Sequence, residues 1–209
     1  MFAKKNGEEA LSSEKKKETP KYTWQQNLTL YLHDIVYMLV IVMVLLMLFF
    51  RIIVVDGPSM ENTLLNGDYM LLVSNLFYKN PQYGDVVVVS KQAYDNGKPI
   101  VKRVIATEGQ VVDIDFEAGI VYVDGTALDE PYTKTLTTLK EGNTFPQTVE
   151  PGCVFIMGDN RNNSKDSRSV SIGQVDKREV LGKAFFILFP GTGMRDSQQR
   201  DFGRIGALK

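Results

Sequence analysis

The chain has 209 residues, with 24 Lys and Arg against 25 Asp and Glu, a net charge of −1, one cysteine and one histidine. That length suits one membrane anchor and one domain of about 150 residues, and the balanced charge leaves no basic footprint for nucleic acid. A lone cysteine excludes an intrachain disulfide, and with a lone histidine it argues against a His/Cys zinc site, so neither metal nor cofactor is expected.

Residues 1–21 are polar, with Lys4, Lys5, Lys15, Lys16, Lys17 and Lys21 interleaved with Glu8, Glu9, Glu14 and Glu18. They lack apolar periodicity and read as a tail. From Trp24 the chain turns amphipathic and aromatic, with Trp24, Tyr31 and Tyr37 suited to a membrane interface. Residues 1–31 are therefore read as a cytoplasmic tail and interfacial segment. Ile35 to Phe50 carries no charged residue, and Arg51 is followed by the apolar Ile52–Val55. Residues 32–55 are expected to form one transmembrane helix, with Arg51 snorkelling to the headgroups, because about 20 apolar residues cross the hydrocarbon. A cleaved signal peptide is the competing reading, disfavoured by the length of the run and the lack of a small-x-small cleavage site. Lysines cluster before the span and only Arg51 lies shortly after it. The positive-inside bias then puts the N-terminus in the cytoplasm and residues 56–209 outside.

The remainder reads as strands at 69–73, 85–90, 99–106, 111–114, 120–123, 154–157 and 180–189. They are rich in Val, Ile, Phe and Tyr and separated by signals such as Asn66-Gly67-Asp68, Asn96-Gly97 and Asp124-Gly125. The spacing suggests a mainly β domain with an antiparallel, partly closed, barrel-like sheet. Residues 113–150, poor in large apolar groups over much of their length, are expected to make a hairpin or loop excursion. Cys153, in strand context, reads as a small buried hydrophobe.

The chemistry follows by elimination. His33 lies on the cytoplasmic side of the span, so with this topology it cannot serve a site outside. A serine without histidine can still be activated by a neutral lysine, whose ordinary pKa of about 10.4 must fall by desolvation among apolar side chains. Two lysines stand inside apolar strands: Lys102, sharing a strand face with Ile100 and Val104, and Lys183, before Ala184-Phe185-Phe186. Pattern alone leaves both open. Ser59 follows Gly57-Pro58, a turn that can aim a side chain outward and leave backbone N–H groups for an oxyanion. It stands four residues beyond Val55, within about 14 Å of extended chain from the span. The stretch Met157-Gly-Asp-Asn-Arg-Asn-Asn-Ser-Lys-Asp-Ser-Arg168 lacks the carboxylates of a calcium loop and reads as a hydrogen-bonded network that positions other residues.

These stretches together resemble bacterial type I signal peptidases of the single-span, Gram-positive kind. The carriers are Pro58-Ser59-Met60 with Thr63-Leu64, Tyr69–Val73, Gly84–Val88, Val101-Lys102-Arg103-Val104-Ile105 with Gly109, and Gly158–Arg161 with Asn163-Ser164 and Asp166-Ser167-Arg168. They stand in the family's order over about residues 35–189. The resemblance implies a membrane-bound serine endopeptidase that removes signal peptides from exported preproteins, on a fold shared with the self-cleaving repressors of the SOS response. It implies Ser59 as nucleophile, Lys102 as general base, Ser164 as the hydroxyl orienting that lysine, and an oxyanion hole from the backbones of Ser59 and Gly57. It makes Arg103–Asp159 and Asp166–Arg168 structural ion pairs. Val55, Met60, Leu64, Ile100 and Val101 match the walls of shallow pockets for small residues at positions −1 and −3, and so Ala-x-Ala-like sites. The expected partners are secretory preproteins and the lipid bilayer. Asn62 departs from the family, which usually has Pro there. A self-cleaving Ser-Lys peptidase is the second reading, disfavoured by the span and the missing DNA-binding region. A tethered β-domain that only binds partners is the third, and it requires an exposed, ordinary Lys102.

Overall fold

The computed structural model describes residues 23–194 and 199–208. The tail expected over residues 1–21 lies outside the described residues. The chain divides into two compact units, the second beginning at Val44.

The long apolar run folds as helix α1, Trp24–Phe49, long and apolar enough to cross a membrane and exposed along its whole length. It begins eight residues earlier and ends six earlier than the expected 32–55. Its start is set by a capping box. The Gln26 N–H donates to Thr23 Oγ1 (3.4 Å) and the Thr23 N–H donates to Gln26 Oε1 (2.9 Å). Its end is set by the β-branched run Ile52–Val55, which prefers an extended backbone. Phe50–Val54 is strand β1, paired antiparallel with β2, Tyr69–Ser74. Arg51 is thus a strand residue opposite Leu72, not a helix-end residue.

The other strands are β3 Val86–Val89, β4 Ile100–Thr107, β5 Val111–Asp115, β6 Ile120–Val123, β7 Thr126–Ala127, β8 Gln147–Thr148, β9 Cys153–Met157, β10 Val175–Asp176, β11 Val180–Phe189 and β12 Gly206–Ala207. The larger sheet runs β1-β2-β11-β3-β4-β9-β10 with β12 added to β11, and every pairing is antiparallel. The fold is mainly β, as expected. The stretch 113–150 is more than a loop: with Val111 and Val112 it supplies a second, four-stranded sheet, β7-β6-β5-β8.

Both faces of the larger sheet are covered. Val86 and Val88 enter one core with Val55, Met60, Leu64 and Val101, while Val87 and Val89 enter another with Val104, Ile156 and Val180. Double burial explains why β3 is an unbroken valine run rather than an alternating one. The second sheet packs its own core of Val112, Ile114, Val121 and Val123 against Phe155 and Met157 of β9, with half-buried Cys153 at the margin.

Candidate active site

The segment between β1 and β2 is a compact turn. Val55 N donates to Asp68 O, Gly67 N to Val55 O, and Leu64 N to Met60 O. Gly57 takes a φ of 98°, open to glycine and unfavourable for other residues. Asn62 takes a φ of 95°, which asparagine tolerates and a proline ring, fixed near −65°, cannot. The departure at Asn62 therefore goes with a turn that proline could not make. Its side-chain amide donates to the carbonyls of Tyr132 and Thr133.

Ser59 sits in this turn. Lys102 comes from β4, where register sets it opposite Val87 of β3. Its Nζ lies 2.8 Å from Ser59 Oγ and donates to Val101 O at 2.9 Å. Lys102 is 3% exposed, and burial pulls its pKa down to about 8 against the opposing pull of Asp166, Asp159 and Glu141. Lys183, the other strand lysine, forms an ion pair with Asp85 at 2.5 Å. Its positive charge is matched there, away from any serine nucleophile.

A cleft of about 740 Å³ opens over this pair. Ile53, Val54 and Val55 form one side, and Ile100, Val101 and Lys102 form another, with Leu139, Glu141 and Ser164 also in its lining. Both strands present an unpaired edge here. β1 is the end of its sheet, and β4 pairs with β9 only from Arg103 onward. Met60 and Leu64 do not line the cleft. They are fully buried, in the core with Val55, Val86 and Val101.

Two more of the implied roles need correction. The N–H of Gly57 is already donated to Asn66 Oδ1 (2.9 Å), so it is not free for an oxyanion. Pro58 has no N–H, and the N–H of Ser59 has no acceptor among the described residues. The hydroxyl of Ser164 lines the cleft but has no hydrogen-bond partner among the described residues, so the implied bond to Lys102 is not formed. The Lys102 amine is turned instead toward Ser59 Oγ and Val101 O.

The 158–168 loop lines the cleft through residues 162–165 and carries the ion pairs. Arg103 Nε and Nη2 reach the two oxygens of Asp159 at 2.9 and 2.7 Å, and the guanidinium lies 4.0 Å from the Tyr132 ring centre. Arg168 grips Asp166 at 2.8 Å through both Nε and Nη2. Both implied pairs are thus assembled, fully buried and bidentate.

Sequence reasoning passed over four further groups. Arg161 pairs with Glu130 (2.5 Å) and ties the loop to the segment after β7. Asp68 is buried and pairs with Arg204 (2.7 Å), which ties the Ser59 turn to the chain's last residues. Asn160, buried, donates from Nδ2 to Pro58 O and from its N–H to Ser59 O, both 3.0 Å. Glu141 lines the cleft with its Oε2 buried and unpartnered. The sequence signal for Asn66 and Asp68 was present in Asn66-Gly67-Asp68, read only as a turn. Nothing local marks Glu141, nor Glu130 and Arg204, whose partners lie far away in sequence.

A buried lysine beside a serine hydroxyl, at the floor of an open cleft between strand edges, is an arrangement suited to a serine hydrolase. The family model described as signal peptidase, peptidase S26, matches residues 28–189. A Synechocystis sp. protein named "Probable signal peptidase I-1" is 39% identical over 146 residues, covering 66% of this chain and 70% of that one. Signal peptidase I of Bacillus caldolyticus is 36% identical over 151 residues, covering 66% and 78%. Signal peptidase I S of Bacillus subtilis is 32% identical over 153 residues, covering 68% and 78%. The crystal structure of a signal peptidase I from Enterococcus faecalis is 28% identical with a TM-score of 0.40, covering 50% of this chain and 97% of that one. The chain belongs to the signal peptidase family, peptidase S26, and is a serine peptidase.

Proposed function

We propose that the protein is a membrane-anchored endopeptidase that removes signal peptides from exported preproteins with Ser59 and Lys102 as its dyad. The observation that carries this is the 2.8 Å approach of Lys102 Nζ to Ser59 Oγ, with the lysine buried and its pKa pulled down to about 8. A neutral amine accepts the Ser59 proton as Oγ attacks the scissile carbonyl. The tetrahedral oxyanion takes a hydrogen bond from the Ser59 N–H. Lys102 then returns its proton to the leaving amine, and the acyl-enzyme remains. Water, deprotonated by the same amine, hydrolyses the ester and restores the Ser59 hydroxyl.

The cleft supports a substrate bound extended against the open edges of β1 and β4, the strand-addition mode of peptide recognition. Val55, Ile100 and Val101 offer apolar walls close to the nucleophile, which suit small residues at −1 and −3. Helix α1 supports the anchor, and the lysines before it support a cytoplasmic N-terminus with the peptidase domain outside. Leu76 and Phe77 are exposed in the turn after β2, and Phe77 stacks on Phe49 with ring centres 3.9 Å apart. A lipid surface suits such a cluster.

The test uses the purified full chain in lipid with a preprotein bearing an Ala-x-Ala junction. Ser59→Ala and Lys102→Ala should each abolish cleavage at the junction while the domain stays folded. Retained cleavage by either variant would refute the dyad.

A further inference from the structure

The direction of the Ser59 N–H decides what it can bind. Of residues 57–59, only Ser59 keeps an unengaged N–H, because Gly57 donates to Asn66 and Pro58 has none. An oxyanion donor must hold its direction before the charge develops. A planar trans peptide fixes that direction through its other end, since the carbonyl and N–H point opposite ways. The carbonyl opposed to the Ser59 N–H is that of Pro58. It accepts from Asn160 Nδ2 at 3.0 Å and from Glu61 N at 3.0 Å. The next peptide carbonyl, Ser59 O, accepts from Asn160 N at 3.0 Å. One buried residue therefore grips both peptide planes that flank the nucleophile's Cα.

Asn160 is itself held rigidly. It stands between Asp159, paired with Arg103, and Arg161, paired with Glu130, and its loop is closed by Asp166 and Arg168. Gly158, two residues before it, packs so closely that an added Cβ would lie 2.5 Å from Ser59 O. The buried ion pairs of the loop thus have a common output, the position of one amide side chain against the Ser59 turn. We infer that Asn160 is a positioning residue that aims the Ser59 N–H into the cleft as the oxyanion donor. The inference rests on the reading of Ser59 as nucleophile.

An isosteric change isolates the donor. Asn160→Asp keeps shape and the backbone N–H but sets a carboxylate oxygen against Pro58 O and near Glu61 Oε2, which lies 3.4 Å from Nδ2. Asn160→Ala removes the side-chain donor without adding charge. Both variants are to be compared with wild type and Ser59→Ala by steady-state cleavage of a peptide substrate. Inhibition by a peptide aldehyde ending in alanine provides the second readout, because Ser59 Oγ adds to it to form a hemiacetal whose oxygen occupies the oxyanion position. The expected result is a kcat lower by about 10- to 100-fold, KM within about threefold, and aldehyde affinity falling in step with kcat. Melting curves establish that each variant is folded, and the isosteric Asp variant carries the test if the Ala variant is not. Wild-type kcat in the folded variants, or a loss confined to KM, would overturn the inference alone, provided Ser59→Ala is inactive. Cleavage by Ser59→Ala would overturn the nucleophile reading and the inference together.

Discussion

Lys102 is a residue whose chemistry and stability pull in opposite directions. It is 3% exposed, and burial lowers its pKa from 10.5 to about 8. Between those values the unfolded chain holds more protons than the folded one, so folding stability rises with pH across that window. Below pH 8 the folded state must bury the ammonium, a penalty of about 3 kcal/mol for a shift of this size. Lys102→Met, similar in length and without charge, should therefore be inactive yet more stable than wild type at pH 7. The difference should shrink as pH rises from 8 to 10.5, a trend that urea denaturation at several pH values would measure; a gap independent of pH would refute it. The same balance predicts a role for Glu141. Asp166, Asp159 and Glu141 favour the charged lysine and Arg168 opposes it, with Lys165 also close to Glu141. Of these carboxylates, Asp159 and Asp166 are locked to arginines, whereas Glu141 has an unpartnered Oε2 at the cleft and a pKa raised by burial and by Asp166. Glu141→Gln removes a charge that stabilises the ammonium, so the rising limb of kcat/KM should move to lower pH. An unchanged or higher limb would show that Glu141 does not act on the base.

At the scale of elements, the proposed peptidase site is a turn and a loop pressed together across a glycine. A Cβ on Gly158 would stand 2.2 Å from Ser164 Oγ and 2.5 Å from Ser59 O. The Ser164 hydroxyl could rotate away, but Ser164 Cβ at 2.6 Å and the Ser59 carbonyl cannot yield without moving backbone. Gly158→Ala should lower kcat by about 100-fold or more, since a displacement of this order misplaces the nucleophile; wild-type kcat in a folded variant would mean the two segments can part freely. This contact was not legible in the sequence, where Gly158 was only one letter of a polar motif. What was legible followed from local chemistry. Alternation and turn residues located β2, β3, β4, β5, β6, β9 and β11, two of them to the residue, because each is a mostly apolar run bounded by polar or turn-forming residues. The helix-to-strand change at Phe49–Phe50 was missed because apolar composition cannot distinguish a lipid-facing helix from an edge strand when the two are contiguous. The β-branched residues 52–55 carried that information, as Thr23 and Gln26 did for the helix start. At the site, pattern left Lys102 and Lys183 equal, and register does not separate them either, since both stand opposite Val87 from the two sides of β3; their partners do, Ser59 Oγ for Lys102 and Asp85 for Lys183. Met60 and Leu64 were assigned to the pocket walls by the family resemblance, but both side chains are buried in the core.

Over the whole molecule, buried arginine–carboxylate pairs do what a long hydrophobic helix would do elsewhere: they join segments remote in sequence. Arg103–Asp159 joins β4 to the loop, Arg161–Glu130 joins the loop to the segment after β7, and Arg204–Asp68 joins the last residues to the Ser59 turn. The last of these is the most exposed to test. Asp68 is fully buried, and its two oxygens accept from Leu65 N, Gly191 N and both terminal nitrogens of Arg204. Its backbone carbonyl also accepts from Val55 N at the turn's entrance. Removing Arg204 leaves the carboxylate with neutral donors only. Breaking a buried pair from one side is more damaging than removing both charges, because the remaining charge stays buried. Arg204→Gln should therefore lose about 3 kcal/mol of stability and reduce kcat through the loosened turn. Adding Asp68→Asn to it should recover part of that stability while keeping oxygen and nitrogen at the same site. Urea denaturation of both single variants and the double variant closes the cycle. If the double variant loses the full sum of the single losses, the pair is not coupled, and the tail merely packs beside the turn without fixing it.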